Sequence, residues 1–247
     1  MKIIVLTAMH ARHDLNNIFG MAMRRLNESF GIETVAAITS GDAENKKICQ
    51  DFGIHFVSTK NNPVSNKFNT GMELLRDLDW THVMILGSDD LPSNKFIQLQ
   101  MQHHDKDFIA VNDMWFWGLN PKRAGWDTFS YWSAGSSRIG AGRVISRRVV
   151  EACDYSLWPE GKNYGLDSAS VANMRKHVKD IKSVSYNQKE AGGFLVDVKH
   201  ELHISSLSPV LSRGVPDDRD IIWDHLPGGE CRELLRLRAK VKTENYL

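Results

Sequence analysis

Short apolar segments alternate with amphipathic helical segments through the first 112 residues, and this alternation constrains the fold more than any other feature. Ile3–Leu6 is a continuous apolar run, as expected for a strand that is covered on both faces. From Leu15 to Phe30, apolar residues recur at helical spacing, and Gly31 ends the pattern. Because strands separated by helices form a mainly parallel sheet, the sequence predicts an α/β fold. The further predicted strands are 34–38, 55–57, 83–86 and 108–111, and the further helices are 43–52, 66–78 and 94–102.

Composition and charge restrict the classes of function. The chain has 247 residues, of which 42% are hydrophobic and 25% are charged, as is typical of one globular domain. Its 31 Lys and Arg against 30 Asp and Glu leave a formal charge of +1, so general attraction to a polyanion is not indicated. No apolar run approaches the roughly 20 residues that cross a bilayer. The three cysteines fit neither a disulfide framework nor a zinc site, so we expect a cytoplasmic protein.

The pattern is less regular after residue 112. Helices are predicted at 143–153, 166–178 and 228–242, and strands at 184–186 and 194–198. A loop is predicted at 205–224, where prolines and charged residues interrupt any periodicity. Neither a repeat nor a low-complexity linker divides the chain, so the change near Asn112 indicates a change of role within one domain.

Two carboxylates directly follow the fourth predicted strand, in the sequence Gly87-Ser88-Asp89-Asp90. Ligands of parallel sheets bind at this edge, beyond the carboxyl ends of the strands. Adjacent like charges raise each other's pKa unless a cation lies nearby. Carboxylate oxygens suit Mg²⁺ or Mn²⁺, which proteins commonly share with substrate phosphates. The motif therefore indicates metal–phosphate chemistry, and the alternative is that the acids cap the helix after Pro92, for which Ser93 is a competing cap.

This stretch resembles the acidic motif of the nucleotide-sugar-dependent glycosyltransferases of the GT-A fold (family 2-like). Members carry Asp-x-Asp or a similar motif after the fourth strand, and the matching tripeptide here is Ser88-Asp89-Asp90. The resemblance implies a Rossmann-like GT-A fold with a mainly parallel central sheet, helices on both faces and a smaller acceptor-side region. It implies Asp90 as a ligand of Mn²⁺ or Mg²⁺, with Asp89 near the nucleotide ribose. It further implies that residues 1–112 bind the nucleotide sugar and that 113–247 form the acceptor-binding and catalytic half.

Two loops of the first half match the nucleotide side of the family. The resemblance implies that the loop from Thr7 to Arg12, after the first strand, borders the base and ribose. Asp42 follows the second strand, where the family often places an acid that faces the base. The alternative for Asp42 is a cap of the helix that begins at Ala43.

The segment after the third strand resembles the family's Arg-Asn-x-Gly sequence. Asn69 and Gly71 match it, but Phe68 replaces the arginine and Lys67 precedes it. The resemblance implies that Asn69 contacts the nucleotide sugar and that Lys67 supplies the lost charge to a phosphate. A solvated lysine is the alternative.

The segment that ends in Leu166-Asp167-Ser168 stands where the family keeps its catalytic base. Leu166 replaces the first acid of a Glu-Asp pair, and Asp167 matches the second. An inverting transfer needs a carboxylate that accepts the proton of the acceptor hydroxyl, so the resemblance implies Asp167 as that base. The alternative is that Asp167 caps the helix that follows.

A histidine completes the metal site in some family members, near the end of the domain. His203 follows a predicted strand and is the implied second ligand beside Asp90, although His200 competes for this role. A lone histidine is more often structural, so a structural role remains the alternative for both.

Aromatic residues crowd the region after the fifth predicted strand. Aromatic faces stack on sugar rings and on unpaired bases. Because the region follows a strand, it can overhang the ligand edge, and we expect Trp115, Trp117 and Trp132 to contact the acceptor. The alternative is that these side chains form the core of a small subdomain.

The resemblance thus implies a metal-dependent, inverting glycosyltransferase that uses a UDP- or GDP-linked sugar and an acceptor hydroxyl. A glycan is the expected acceptor, and a hydroxymethylated DNA base is an alternative that the near-neutral charge does not support. Two other functions compete. A sugar-nucleotide nucleotidyltransferase would keep the fold, but the class usually carries a Gly-rich loop after the first strand, and residues 7–12 contain no Gly. A non-catalytic module would bind glycans through the aromatic residues.

Overall fold

Strands and helices alternate through the first half of the protein as predicted. A computed structural model describes residues 1–119, 129–133, 139–199, 215–217 and 222–244. The strands are β1 (Ile3–Met9), β2 (Glu33–Thr39), β3 (His55–Thr59), β4 (His82–Ile85), β5 (Asp90–Pro92), β6 (Phe108–Val111), β7 (Asp113–Gly118), β8 (Phe129–Ser133), β9 (Arg143–Ser146), β10 (Ser183–Tyr186), β11 (Leu195–Lys199) and β12 (Val215–Asp217).

The helices cover the strands and begin and end largely where the sequence predicts. They are α1 (His13–Phe30), α2 (Ala43–Phe52), α3 (Val64–Glu73), α4 (Asn94–Met101), α5 (Arg147–Ala152), α6 (Leu166–His177), α7 (Gln188–Ala191), α8 (Ile222–His225) and α9 (Gly228–Glu244), with a 3-10 helix (Leu74–Asp77) after α3. Gly31 ends α1 with a φ of 65°, which a residue without a Cβ adopts readily.

Within the described residues, seven strands form the central sheet in the order β10-β6-β9-β4-β1-β2-β3. All neighbours pair in parallel except β9, which is antiparallel to both β4 and β6. A second sheet has the order β12-β8-β7-β11-β5. Apolar side chains of β1 pack on both faces of the central sheet, Ile3 and Val5 on one side and Ile4 and Leu6 on the other. The predicted α/β class and mainly parallel sheet are confirmed.

Parts of the predicted pattern differ from the structure. The predicted loop at 205–224 contains β12 and the start of α8. Arg143–Ser146 was expected in a helix but forms β9, which is buried between two strands, and the helix begins only at Arg147. β7 immediately follows β6 and was not predicted. Both halves of the chain contribute to both sheets, since β9 and β10 complete the first sheet and β5 joins the second.

Candidate functional site

Three carboxylates meet where the central sheet adjoins the second sheet. Asp89 and Asp90 follow β4, and Asp90 begins β5, which pairs antiparallel with β11. This register places Asp197 of β11 directly opposite Asp90. The amide of Val198 also donates to the main-chain oxygen of Asp89 at 2.8 Å, which fixes the turn against β11. One carboxylate oxygen from each of Asp89, Asp90 and Asp197 lies within 4.8 Å of the others, and we call these three residues the acidic triad.

Burial and mutual repulsion both act on the charges of the acidic triad. Burial raises the pKa of the Asp90 carboxyl well above its ordinary value, and the carboxylates of Asp197 and Asp89 raise it further. The amide of Gly87 donates to Asp90 Oδ2 at 2.5 Å and opposes this shift. Ser93, not Asp90, caps α4 by accepting from the amide of Phe96, so capping does not explain the acids. A cluster of three hard oxygen donors at this spacing fits the chemistry of a divalent cation such as Mg²⁺ or Mn²⁺.

Two basic side chains contact the acidic triad. Arg12 Nη1 lies 3.0 Å from Asp89 Oδ2, and its Nη2 donates to Ser88 Oγ at 3.1 Å. Arg12 reaches this position because the chain turns sharply after β1, with positive φ angles of 45° at Ala11 and 49° at Arg12. Lys199, two residues after Asp197 on β11, pairs with the Asp197 carboxylate. Burial opposes the charge on Lys199, but Asp197 and Asp89 outweigh it and raise the pKa of the amine.

Asp167 lies in the first turn of α6 and is held by two neighbours. Gly165 occupies the cap position of α6, so Asp167 is not the cap that the alternative proposed. The Gly140 amide donates to the Asp167 carboxylate. Arg143 of β9 donates to the main-chain oxygen of Asp167 at 3.1 Å and fixes the start of the helix. Burial raises the pKa of the Asp167 carboxyl, although Arg143 and the Gly140 amide act in the opposite direction.

One cavity of about 250 Å³ joins the acidic triad to Asp167. Its wall includes all three triad carboxylates, Asp167, and the basic residues Arg143 and Lys199. Phe68, Trp158 and Leu166 supply the apolar part of the lining. The fold therefore brings the predicted metal-binding and catalytic carboxylates to a single cavity at the edge of the sheet that the sequence indicated.

Asp42 follows β2, and the amine of Lys67, a residue of α3, reaches the carboxyl ends of β1 and β2. Each of the two side chains is engaged by the protein itself. Asp42 caps α2 by accepting from the Asn45 amide at 3.0 Å, and His13 Nε2 lies 2.9 Å from its Oδ1. Burial raises the pKa of Asp42, but these hydrogen bonds outweigh it and the net shift is downward. The capping alternative is thus observed for Asp42.

Lys67 is neither solvated nor directed at a phosphate. Its side chain is buried, and Nζ donates to the main-chain oxygen of Met9 (2.5 Å), Thr39 Oγ1 (2.8 Å) and Asn61 Oδ1 (3.1 Å). Burial lowers the pKa of this amine to about 8. The three oxygens occupy the three N–H groups of the ammonium, so Lys67 ties the ends of β1 and β2 together in this structure.

Thr7 and Asn69 also have structural positions. Thr7 is fully buried in β1, so its side chain has no surface for a nucleotide contact. The Asn69 amide nitrogen donates to Ser156 Oγ at 3.1 Å and to the main-chain oxygen of Trp158 at 2.8 Å. The Trp158 amide donates back to Asn69 at 3.2 Å, so Asn69 holds the segment that forms one wall of the cavity.

Trp115 and Trp117 were expected at the acceptor but lie in the apolar core. Both are buried in β7, where Trp115 packs against Phe194 with ring centroids 6.2 Å apart and Arg238 covers the Trp117 ring. The core alternative is therefore correct for these two residues. Trp132 belongs to β8, but its side chain, like the whole of His200 and His203, lies outside the described part of the chain.

Sequence reasoning missed Asp197, Lys199 and Arg143. The run Phe194-Leu195-Val196-Asp197-Val198-Lys199 carries charges at alternate positions of an otherwise apolar strand, and that pattern places both charged side chains on one face. Charged residues on a mostly buried strand are uncommon unless they are paired or functional, so this alternation was the available signal. Arg143 offered no such signal, because its segment was predicted to be helical.

Comparison with known proteins supports the fold assignment. A scan of protein-family models and a search of curated protein sequences each found no match. Among solved structures, glucosyl-3-phosphoglycerate synthase from Mycobacterium tuberculosis, in complex with Mn²⁺, UDP and phosphoglyceric acid, is similar with a TM-score of 0.53 at 11% identity, over 88% of this chain and 80% of that one. S. aureus TarS 1-349 gives a TM-score of 0.52 at 10% identity, over 78% of this chain. The chain spans only 62% of that TarS fragment.

A third similar structure belongs to a different class of transferase. The inositol-1-phosphate CTP transferase from T. maritima gives a TM-score of 0.50 at 11% identity, over 86% of this chain and 96% of that one. Together these similarities show a GT-A-like fold. No helix in the described ranges combines the length and apolar character that a membrane crossing requires.

Proposed function

We propose that the protein is a metal-dependent glycosyltransferase that moves a sugar from a nucleotide diphosphate sugar to an acceptor hydroxyl. The observation that carries this proposal is the single cavity that the acidic triad and Asp167 share. Metal-ligating carboxylates on one wall and a carboxyl of raised pKa on another are the two groups that an inverting transfer requires. The GT-A-like fold supports the same class of reaction.

The acidic triad is the proposed metal site. Asp90 and Asp197 face each other across the β5–β11 pair, and Asp89 adds a third oxygen donor. A bound Mn²⁺ or Mg²⁺ there would supply charge stabilisation for a departing nucleoside diphosphate. Arg12, after β1, pairs with Asp89, after β4, and both border the proposed nucleotide site. His203 stays a predicted additional ligand.

Asp167 is the proposed base. It accepts the proton of the acceptor hydroxyl as that oxygen attacks the anomeric carbon, which inverts the configuration of the sugar. A carboxyl whose pKa is raised is a better proton acceptor than an ordinary one, provided that it is ionised at the working pH. The Gly140 amide donates to the carboxylate, and Arg143 holds the main chain of this residue in place.

The proposed donors are UDP- or GDP-linked sugars, and the proposed acceptor is a glycan in the cytoplasm, with a hydroxymethylated DNA base as the alternative. The test measures the midpoint of thermal unfolding with UDP-glucose, UDP-N-acetylglucosamine and GDP-mannose, each with and without Mn²⁺. At least one nucleotide sugar should raise the midpoint only when Mn²⁺ is present, and Asp90→Asn should abolish that increase. Asp105→Asn, which alters an exposed acid, is the matched control. An absence of stabilisation by any nucleotide sugar with Mn²⁺ would contradict the proposal.

A sugar-nucleotide nucleotidyltransferase is the second candidate, because the T. maritima CTP transferase shares the fold over most of its length. The two reactions differ in their products. A nucleotidyltransferase releases pyrophosphate from a nucleoside triphosphate and a sugar phosphate, whereas a glycosyltransferase releases a nucleoside diphosphate. Pyrophosphate release from CTP or UTP with glucose 1-phosphate would favour the second candidate. A glycan-binding module is the third alternative. Trp115 and Trp117, which it would use to bind the glycan, are buried in the core.

A further inference from the structure

Lys199 is an unusual component of a metal site. Its side chain is only 5% exposed, yet its amine lies among carboxylates and lines the same cavity. It pairs with Asp197, and Nζ lies 5.4 Å from the centre of the Phe116 ring. Among the described residues, Asp197 accepts a hydrogen bond from Nζ, and an ammonium carries three N–H groups in all.

The charge balance of the acidic triad changes when a divalent cation arrives. Arg12 pairs with Asp89 and Lys199 pairs with Asp197, so two carboxylates of the acidic triad already lie beside a cation. A divalent cation that binds the same carboxylates would place its charge beside the Lys199 ammonium in a largely buried site. Buried uncompensated charge is unfavourable, so the cation alone binds against a repulsive partner. A nucleoside diphosphate would supply negative charge. Its phosphate oxygens could bind both the divalent cation and the Lys199 ammonium.

We propose that Lys199 is an internal counter-ion that competes with the divalent cation for Asp197 and passes to the diphosphate when cation and nucleotide bind together. This inference rests on the proposed function and assigns Lys199 a positioning role in it. No covalent bond changes, since an ion pair between ammonium and carboxylate is exchanged for one between ammonium and phosphate oxygen. Lys199 thereby makes cation affinity depend on the nucleotide, and it suppresses binding of the cation to the empty site.

The test measures Mn²⁺ affinity from the electron paramagnetic resonance signal of free Mn²⁺, first alone and then with saturating UDP or GDP. In the unaltered protein, one nucleotide should tighten Mn²⁺ binding by roughly 10-fold or more. Lys199→Met should bind Mn²⁺ alone roughly 10-fold more tightly, because the competitor is gone, and should lose most of the gain from nucleotide. Lys182→Met removes an exposed lysine of the same length and should behave as the unaltered protein.

The outcomes separate the inference from the proposed function. If the unaltered protein does not bind Mn²⁺ even with UDP or GDP, the proposed function fails. If nucleotide tightens Mn²⁺ binding equally in the unaltered protein and in Lys199→Met, the inference alone fails. Removal of Lys199 leaves Asp197 without this partner, so Lys199→Met is purified with Mn²⁺, and Lys199→Gln provides a second uncharged variant. If both variants unfold without the ion, Mn²⁺ should restore their thermal transition, and a failure to restore it would overturn the inference.

Discussion

Two buried carboxylate sites lie at opposite edges of the central sheet, and they differ in how the fold treats them. Asp107 precedes β6 at the amino edge. It accepts from Arg148 Nη2 (2.6 Å), Ser146 Oγ (2.9 Å) and the amide of Lys182 (3.0 Å). Asp90 follows β4 at the carboxyl edge, where the Gly87 amide donates to it and the charges that act on it are two carboxylates and Lys199.

The pKa shifts of the two acids run in opposite directions. Burial alone would raise the pKa of Asp107, but Arg148 and the other donors lower it to about 2. Burial and like charges raise the pKa of Asp90. At Asp107, where the role is structural, the fold therefore stabilises the buried charge with hydrogen bonds and an ion pair. At the cavity it leaves carboxylates crowded, which is the arrangement expected where a ligand completes the charge balance.

Replacement of Asp90 gives the largest expected contrast. Asp90→Asn should lower metal-dependent turnover by roughly 1,000-fold, because a metal ion contributes several kcal/mol of transition-state stabilisation. The same variant should unfold at a higher temperature than the unaltered protein at pH 7 without metal. A carboxyl whose pKa is raised by folding stabilises the folded state below its unfolded pKa, and this contribution is lost as the pH rises through the folded value. Turnover and metal-free calorimetry measure the two effects, and unchanged turnover would remove Asp90 from the metal site.

Replacement of Asp167 tests the other wall of the cavity. Asp167→Asn should reduce kcat by about 100- to 10,000-fold, the usual contribution of a general base, while nucleotide-sugar binding is retained. Because the base must be ionised and burial raises its pKa, kcat of the unaltered protein should fall with decreasing pH before an ordinary carboxyl is protonated. Glu160→Gln removes an exposed acid nearby and serves as the control. Equal loss of binding and turnover in Asp167→Asn would indicate a structural role.

Replacement of Gly140 tests how precisely the Asp167 carboxylate must be positioned. A Cβ at this position would lie 1.9 Å from Asp167 Oδ1, so Gly140→Ala must displace the carboxylate. A shift of about 1 Å in a reacting group can reduce the rate by roughly 100-fold, and we expect a loss in kcat of that size. Gly118→Ala is the matched control, since a Cβ there meets no atom of the described residues within 4 Å. Steady-state kinetics would contradict the assignment if both variants retained full kcat.

The sequence predicted the features that depend on the succession of neighbouring segments along the chain. Alternating apolar segments predicted the first four strands of the central sheet, and the position after β4 predicted Asp90 at the ligand edge. The completion of the acidic triad could not be predicted in this way, because it depends on the antiparallel pairing of β5 with a strand far along the chain. Trp115 and Trp117 were misassigned because an aromatic residue that stacks on a ligand and one that fills a core look alike in sequence. Asn69 was misassigned because its partners, around Trp158, are distant in sequence.

Replacement of Asp107 gives the smallest expected effect. It should lower the stability of the folded protein at pH 7, whereas Asp90→Asn should raise it. Asp107→Asn should lower the free energy of unfolding by about 1–3 kcal/mol at pH 7, because Arg148 loses a charged partner. The exposed half of Arg148 places the value near the lower end of that range. Since the pKa of Asp107 is about 2 in the folded protein and about 3.9 when unfolded, its stabilisation is present above the unfolded value and lost as the pH falls toward 2. The difference between variant and unaltered protein should therefore shrink in acid, as measured by urea unfolding across this pH range. Turnover and Mn²⁺ dependence should not change, and a change in either would mean that the two carboxylate sites are not independent.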